Sequence, residues 1–167
     1  MSHTPYTQDP YLLKNRFRGY LPVIIDIETG GFNASTDAIL EIGVSTIEMD
    51  EKGFLYTKQS INYPVTPFLG SNLDPSALAF TGIDPFDEDR QALTEAEVIP
   101  KLFKLIKKEM KFAECKRAIL VGHNVNFDFN FLNAAVSRIQ EKNNPFHPFS
   151  TFDTVSLSAL AYGQTVL

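Results

Sequence analysis

The sequence predicts one α/β or α+β domain: a mixed central sheet flanked by helices. Three observations lead there. Strand-like apolar runs come first, amphipathic helical runs dominate the second half, and one helical run separates the third main strand from the fourth. The length fits a single core, since 167 residues with 44% hydrophobic content suffice for a domain that buries roughly 70% of its unfolded surface. We therefore read 1–167 as one domain, with residues 1–18 as an N-terminal arm and no repeat, low-complexity tract or linker.

The elements follow in order. Residues 22–28 form a buried strand, closed by a turn at Gly30 and Gly31 in "VIIDIETGGFN". These glycines permit the turn or the close approach of a substrate backbone. "AILEIGVSTIEM" is a second strand with Glu41 inside it, and a third lies near 54–62. "LDPSALAFTGI" reads as a short helix with Pro near its start and Gly at its stop. "TEAEVIPKLFKLIKKEMKF" is a longer one, with a Thr94 to Glu97 capping box, a buried face at 99, 102, 103, 106 and 110, and a kink expected at Pro100. "RAILVGHN" is a strand, "FDFNFLNAAVSRIQEK" a helix, and "STFDTVSLSALAYG" a short extended piece entering another helix.

Composition excludes several classes. No run of 18 apolar residues occurs and "MSHTPYTQDP" has no apolar signal region, so a soluble, cytoplasmic protein without a membrane partner is expected. The lone Cys115 rules out an intramolecular disulfide and a multi-cysteine metal site, and is read as an inert thiol. The net charge of −5 is unevenly spread: residues 26–97 hold fourteen acids and three bases, residues 101–142 nine bases and four acids. An acidic centre beside basic elements suits a metal-dependent site acting on a polyanion. Lys101, Lys104, Lys107, Lys108 and Lys111 share one helix and by that pattern form a solvated face.

Asp26 and Glu28 carry the chemistry. Side chains on a strand alternate, so both acids leave the same face at the end of an apolar run. No Lys or Arg lies nearby in sequence to neutralise them. A divalent cation would, because carboxylate oxygens are the preferred ligands of Mg²⁺, and two such ions can activate a water and stabilise the leaving oxygen of a phosphodiester. The aspartyl-phosphate phosphatases are a rival, but they need a second Asp where Glu28 stands.

"VGHNVNFD", residues 121–128, places Asp128 in the first turn of a helix, where its charge suits the dipole. With D-x-E before N-x-x-F-D, the chain resembles the DEDD superfamily of 3′-to-5′ exonucleases, DEDDh type. "RFRGYLPVIIDIETGGFN", "LDPSALAFTGIDP", "RAILVGHNVNFD" and "NPFHPFSTFDT" further resemble the blocks of the ribonuclease T family and span nearly all the chain from residue 16. The resemblance implies a ribonuclease-H-like fold and a homodimer that trims the 3′ ends of tRNA and other stable RNAs and also acts on single-stranded DNA. It implies Asp26, Glu28 and Asp128 as the catalytic ligands of two Mg²⁺ ions, with Mn²⁺ as an alternative. It implies base stacking on Phe32, Phe80, Phe127 and Phe149, an RNA-binding patch of Arg16, Arg18, Lys111, Arg117 and Lys142, and a supporting or helix-capping role for Asp153. Phe103, Phe129 and Phe131 are left to the core.

Two departures accompany it. Ser76 stands where the family commonly has a Glu that senses the terminal base, which puts base preference in question. The third motif, a His followed five residues later by an Asp, is expected beyond Leu167 in a longer protein with further C-terminal helices. His3 falls in the arm, His123 in the second motif and His147 between prolines. The 167 residues alone are expected to bind metal weakly and turn over slowly, and a non-catalytic or inactivated nucleic-acid-binding module is the alternative.

Overall fold

A computed structural model describes residues 12–165. His3 and residues 1–11 of the arm lie outside the described residues. In the rest of the arm, Leu13–Asn15 and Phe17–Gly19 form two short 3-10 turns, and Leu13 is buried in the main core.

Five strands make the sheet. β1 (Tyr20–Thr29), β2 (Ile39–Met49) and β3 (Leu55–Pro64) form an antiparallel meander, and β4 (Arg117–Gly122) and β5 (Phe146–Asp153) add in parallel on the other side of β1, giving the order β3-β2-β1-β4-β5. The sheet is therefore mixed, as predicted. The extended piece before the last helix is a full edge strand, with a register shift between Ala118 and Leu120 that throws the middle of β5 outward.

Alternation along β1 decides what faces the site. Leu21, Val23, Ile25 and Ile27 enter a core shared with Val98, Leu102, Ile106, Phe131 and Leu132 of the helices, while Asp26 and Glu28 occupy the other face. Fully burying one such aliphatic side chain is worth about 1.5–3 kcal/mol, so a one-residue slip of β1 is strongly disfavoured.

The helices follow their sequence signals. α1 (Pro75–Thr81) is capped by Asp74, whose carboxylate accepts from the Ser76 and Ala77 amides, and stops at Gly82, φ 69°. α2 (Glu95–Phe112) carries the capping box. It runs through Pro100 without a break, because Pro100 is on the exposed face, where water can satisfy the carbonyl its ring leaves unpaired. α3 (Asn126–Arg138) ends earlier than its sequence pattern suggests, Gln140 having turned to φ 56°. α4 (Thr154–Tyr162) follows β5 directly. Among the described residues no helix is long and apolar enough to cross a membrane.

Candidate active site

Asp26, Glu28 and Asp128 line one cleft of ≈ 740 Å³ at the end of β1, together with Phe32, Ser76, Phe80, His123 and Phe127. Asp26 and Glu28 arrive by strand alternation, Asp128 by the first turn of α3. The Asp128 Oδ1 accepts from the Ile27 amide at 2.9 Å, and Gly122, whose absent Cβ would stand 3.2 Å from Asp128 Oδ2, leaves the carboxylate room to approach β1.

The cluster is electrostatically unrelieved. Burial pushes the Asp128 carboxyl up to about 6, and the charges of Asp26 and Glu28 add to the rise against the lowering effect of the Ile27 amide. Burial likewise raises Glu28, with Asp26 and Glu41 contributing. Glu41, whose role the sequence left open, is the direct cross-strand partner of Glu28, and like charges so paired are destabilising. None of the described ion pairs involves Asp26, Glu28 or Asp128.

The donor set suits a hard divalent cation, although no three His, Cys, Asp or Glu side chains among the described residues stand close enough together to enclose one. The two facts are compatible, because Mg²⁺ commonly takes one or two carboxylates and completes its shell with water or phosphate.

Three of the four predicted stacking residues share the cleft. Phe32 is 82% exposed and Phe80 90%, while Phe127 meets Phe32 edge to face at 6.3 Å and leans on Phe131 at 4.9 Å. Phe149 does not join them. It sits on the outward-thrown part of β5 beside His147, ring centroids 6.2 Å apart, and His147 in turn lies 5.3 Å from Tyr20. Phe103 and Phe131 are buried and Phe129 packs against the core, as read from the sequence.

Ser76 faces the cleft with its hydroxyl donating to Asp74 Oδ1 at 2.5 Å. His123 stands five residues before Asp128, the spacing of the third motif, which sequence reading passed over. Its Nδ1 is engaged with the Thr154 hydroxyl at 3.0 Å. Asp153 accepts from the Val155 amide at 2.9 Å and the Asn124 amide at 3.2 Å, which caps α4 and ties it to the loop before α3.

The basic residues gather elsewhere. Tyr20 and Arg117 pair in register at the starts of the parallel strands β1 and β4, the sheet end opposite the carboxylates. Arg16 and Arg18 lie in the turn just before, lining a pocket with Lys14 and Lys116. Arg18 and Lys116 flank the Tyr20 ring at 5.6 and 5.3 Å. Lys116 was not singled out from sequence, though its place beside Arg117 could have suggested it. Lys111 is exposed in the last turn of α2, and Lys142 is exposed ahead of β5.

A family model described as exonuclease, RNase T, matches residues 23–166. The chain belongs to this exonuclease family. Within the family, it is 55% identical over 155 residues to ribonuclease T of Escherichia coli K12 and, equally, to that of Shigella flexneri, covering 93% of this chain and 72% of theirs. Among solved structures, E. coli exonuclease I in complex with a dT13 oligonucleotide superposes with a TM-score of 0.62 at 18% identity, over 86% of this chain. A metal-free form of that enzyme bound to single-stranded DNA aligns equally well. This chain spans only 30% of exonuclease I, and the likeness establishes the shared ribonuclease-H-like fold. The family's exonuclease core thus covers β1 to α4.

Proposed function

We propose that this protein is a metal-dependent 3′-to-5′ exoribonuclease that trims the 3′ ends of tRNA and other stable RNAs, acts also on single-stranded DNA, and works in the cytoplasm as a homodimer. One observation carries the reading: three carboxylates with no cationic partner among the described residues face a cleft walled by Phe32, Phe80 and Phe127. A non-catalytic binder has no use for three acids facing a phosphate chain.

Asp26, Glu28 and Asp128 would hold Mg²⁺, two ions per site, or Mn²⁺. Bound there, the metal supplies an activated water and offsets charge on the leaving oxygen. The rest falls to the chain. Phe32 and Phe80 offer exposed faces for the terminal bases, each stack being worth about 1–3 kcal/mol and tolerant of sequence. The Ser76 hydroxyl, committed to Asp74, leaves base edges without a carboxylate contact at that position. Burial of Asp128 and its bond to Ile27 keep its carboxylate fixed toward Asp26 and Glu28.

The basic patch of Arg16, Arg18, Arg117, Lys111 and Lys142 would contact phosphates away from the carboxylates of its own subunit. Its place at the opposite end of the sheet suits a dimer in which one subunit grips RNA whose 3′ end enters the partner's cleft. Phosphate contacts of this kind give salt-dependent affinity in spite of a negative net charge.

The test is Asp26→Asn in the full-length protein, assayed for Mg²⁺-dependent nucleotide release from 3′-labelled single-stranded RNA and, in EDTA, for RNA binding. Release should vanish while binding persists. Unchanged turnover would refute the metal-site assignment.

A further inference from the structure

We propose that Asp37 is a positioning residue for the cleft, locking the loop that carries Phe32 to the segment that carries α1 and so setting the separation of Phe32 from Phe80. Asp37 is 8% exposed and its carboxylate is fully engaged. Oδ2 accepts from the Asn33 amide at 2.9 Å, and Oδ1 accepts from the Thr36 hydroxyl at 2.7 Å and the Asn72 side-chain amide at 3.1 Å. Burial alone would raise its pKa, but these bonds and a contact from the Phe32 amide outweigh it and hold the carboxyl below the usual range.

Backbone bonds complete the interlock. The Asn72 amide donates to Thr36 O at 2.8 Å, Ala38 N–H to Asn72 O at 3.2 Å, and Asp74 N–H to Gly30 O at 2.7 Å. Asp74 is the residue that caps α1, so the chain of contacts runs from Phe32 through Asp37 and Asn72 to the helix bearing Phe80.

The two glycines of the turn after Asp26 and Glu28, Gly30 and Gly31, gain a reason here. Neither has a positive φ. A Cβ on Gly31 would run into the Asp37 carboxylate, and one on Gly30 would meet Leu73 Cδ2 at 2.8 Å. They make room for the protein's own interlock, and the turn does not need their conformational freedom.

Phe32, being 82% exposed, has little packing to fix it, so its position is set by its backbone. Loop order established before binding spares the entropy of ordering it on the ligand. The inference rests on the proposed nucleic-acid role of the cleft.

The experiment measures binding of single-stranded RNA with 2-aminopurine at its 3′ end, in EDTA, by fluorescence quenching. Asp37→Asn sets an amide against donors that a carboxylate accepts. Asn72→Ala cuts only the side-chain link, at an exposed position, and carries the test if Asp37→Asn does not fold. Phe32→Ala should weaken binding at least fivefold and reduce the quenching. Asn72→Ala and Asp37→Asn should each weaken it in the same way, and combining either with Phe32→Ala should add nothing further. Additive losses, or unchanged quenching in Asn72→Ala, would overturn the assignment. If Phe32→Ala itself leaves binding unchanged, the reading of the cleft fails first and this inference with it.

Discussion

The Asp128 carboxylate accepts a hydrogen bond from the Ile27 amide, 2.9 Å long, across 101 positions of sequence. The second acidic motif is thereby fastened to the residue between the two acids of the first. With that bond made, three carboxylates line one cleft, and burial together with the neighbouring acids has a measurable effect on Asp128.

Asp128 should make the metal-free protein pH-sensitive. Its carboxyl is raised from an ordinary 3.8 to about 6, chiefly by burial. A raised pKa means the folded state favours the neutral acid, so this stability is fully present below about pH 4 and is lost as pH rises through about 6. Thermal unfolding in EDTA should show wild type losing ground to Asp128→Asn across that window. Parallel curves for the two proteins would show that the carboxyl ionises normally.

Divalent cations should restore what ionisation takes away. A ligand that binds only the native state stabilises it by about 2.7 kcal/mol at one hundred times its Kd. Mg²⁺ or Mn²⁺ should raise the unfolding temperature above pH 6 more than below it, since protons compete for the same oxygens. Asp26→Asn and Glu28→Gln should blunt the shift, and an equal shift in both variants would place the ion elsewhere.

The Arg138–Glu95 pair should be costly to break. Arg138 Nε and Nη2 donate to Glu95 at 2.9 and 2.6 Å, and Nη1 donates to Ala34 O at 3.0 Å, joining α2, α3 and the Phe32 loop. Glu95 is 6% exposed. Arg138→Met would leave a buried, unpartnered carboxylate, with a loss of about 3–5 kcal/mol expected in urea unfolding. A loss below about 1 kcal/mol would mean that the pair behaves as a surface one.

Salt dependence should separate the two proposed binding regions. Replacing Arg18 or Arg117 by Ala should weaken RNA binding regardless of sequence and lower the slope of log affinity against log salt by about 0.7 for each phosphate no longer neutralised. Phe32→Ala should weaken binding with the slope unchanged. An unaltered slope in both arginine variants would remove them from the interface.

Much of this protein was legible from local pattern. Alternation by two put Asp26 and Glu28 on one face, and the capping box at Thr94, the Asp74-Pro75 start and the Gly82 stop marked helices correctly, because such signals act within one turn or one strand. The grouping of Phe32, Phe80 and Phe127 followed from resemblance. Pairing across the sheet was not legible: Glu28 opposite Glu41, Phe149 carried outward with β5, Lys116 beside Tyr20, and Asp37 clasping Asn72 all depend on register between distant segments. Periodicity tells which way a side chain points, whereas its neighbours are chosen by long-range burial and hydrogen bonding. The sequence alone therefore determined the sheet's mixed α/β character and the acids at the end of its first strand. Only the tertiary structure decided which residues crowd those acids and which bonds tie the Phe32 loop to the segment before α1, because these contacts form once the core has fixed the strands in register.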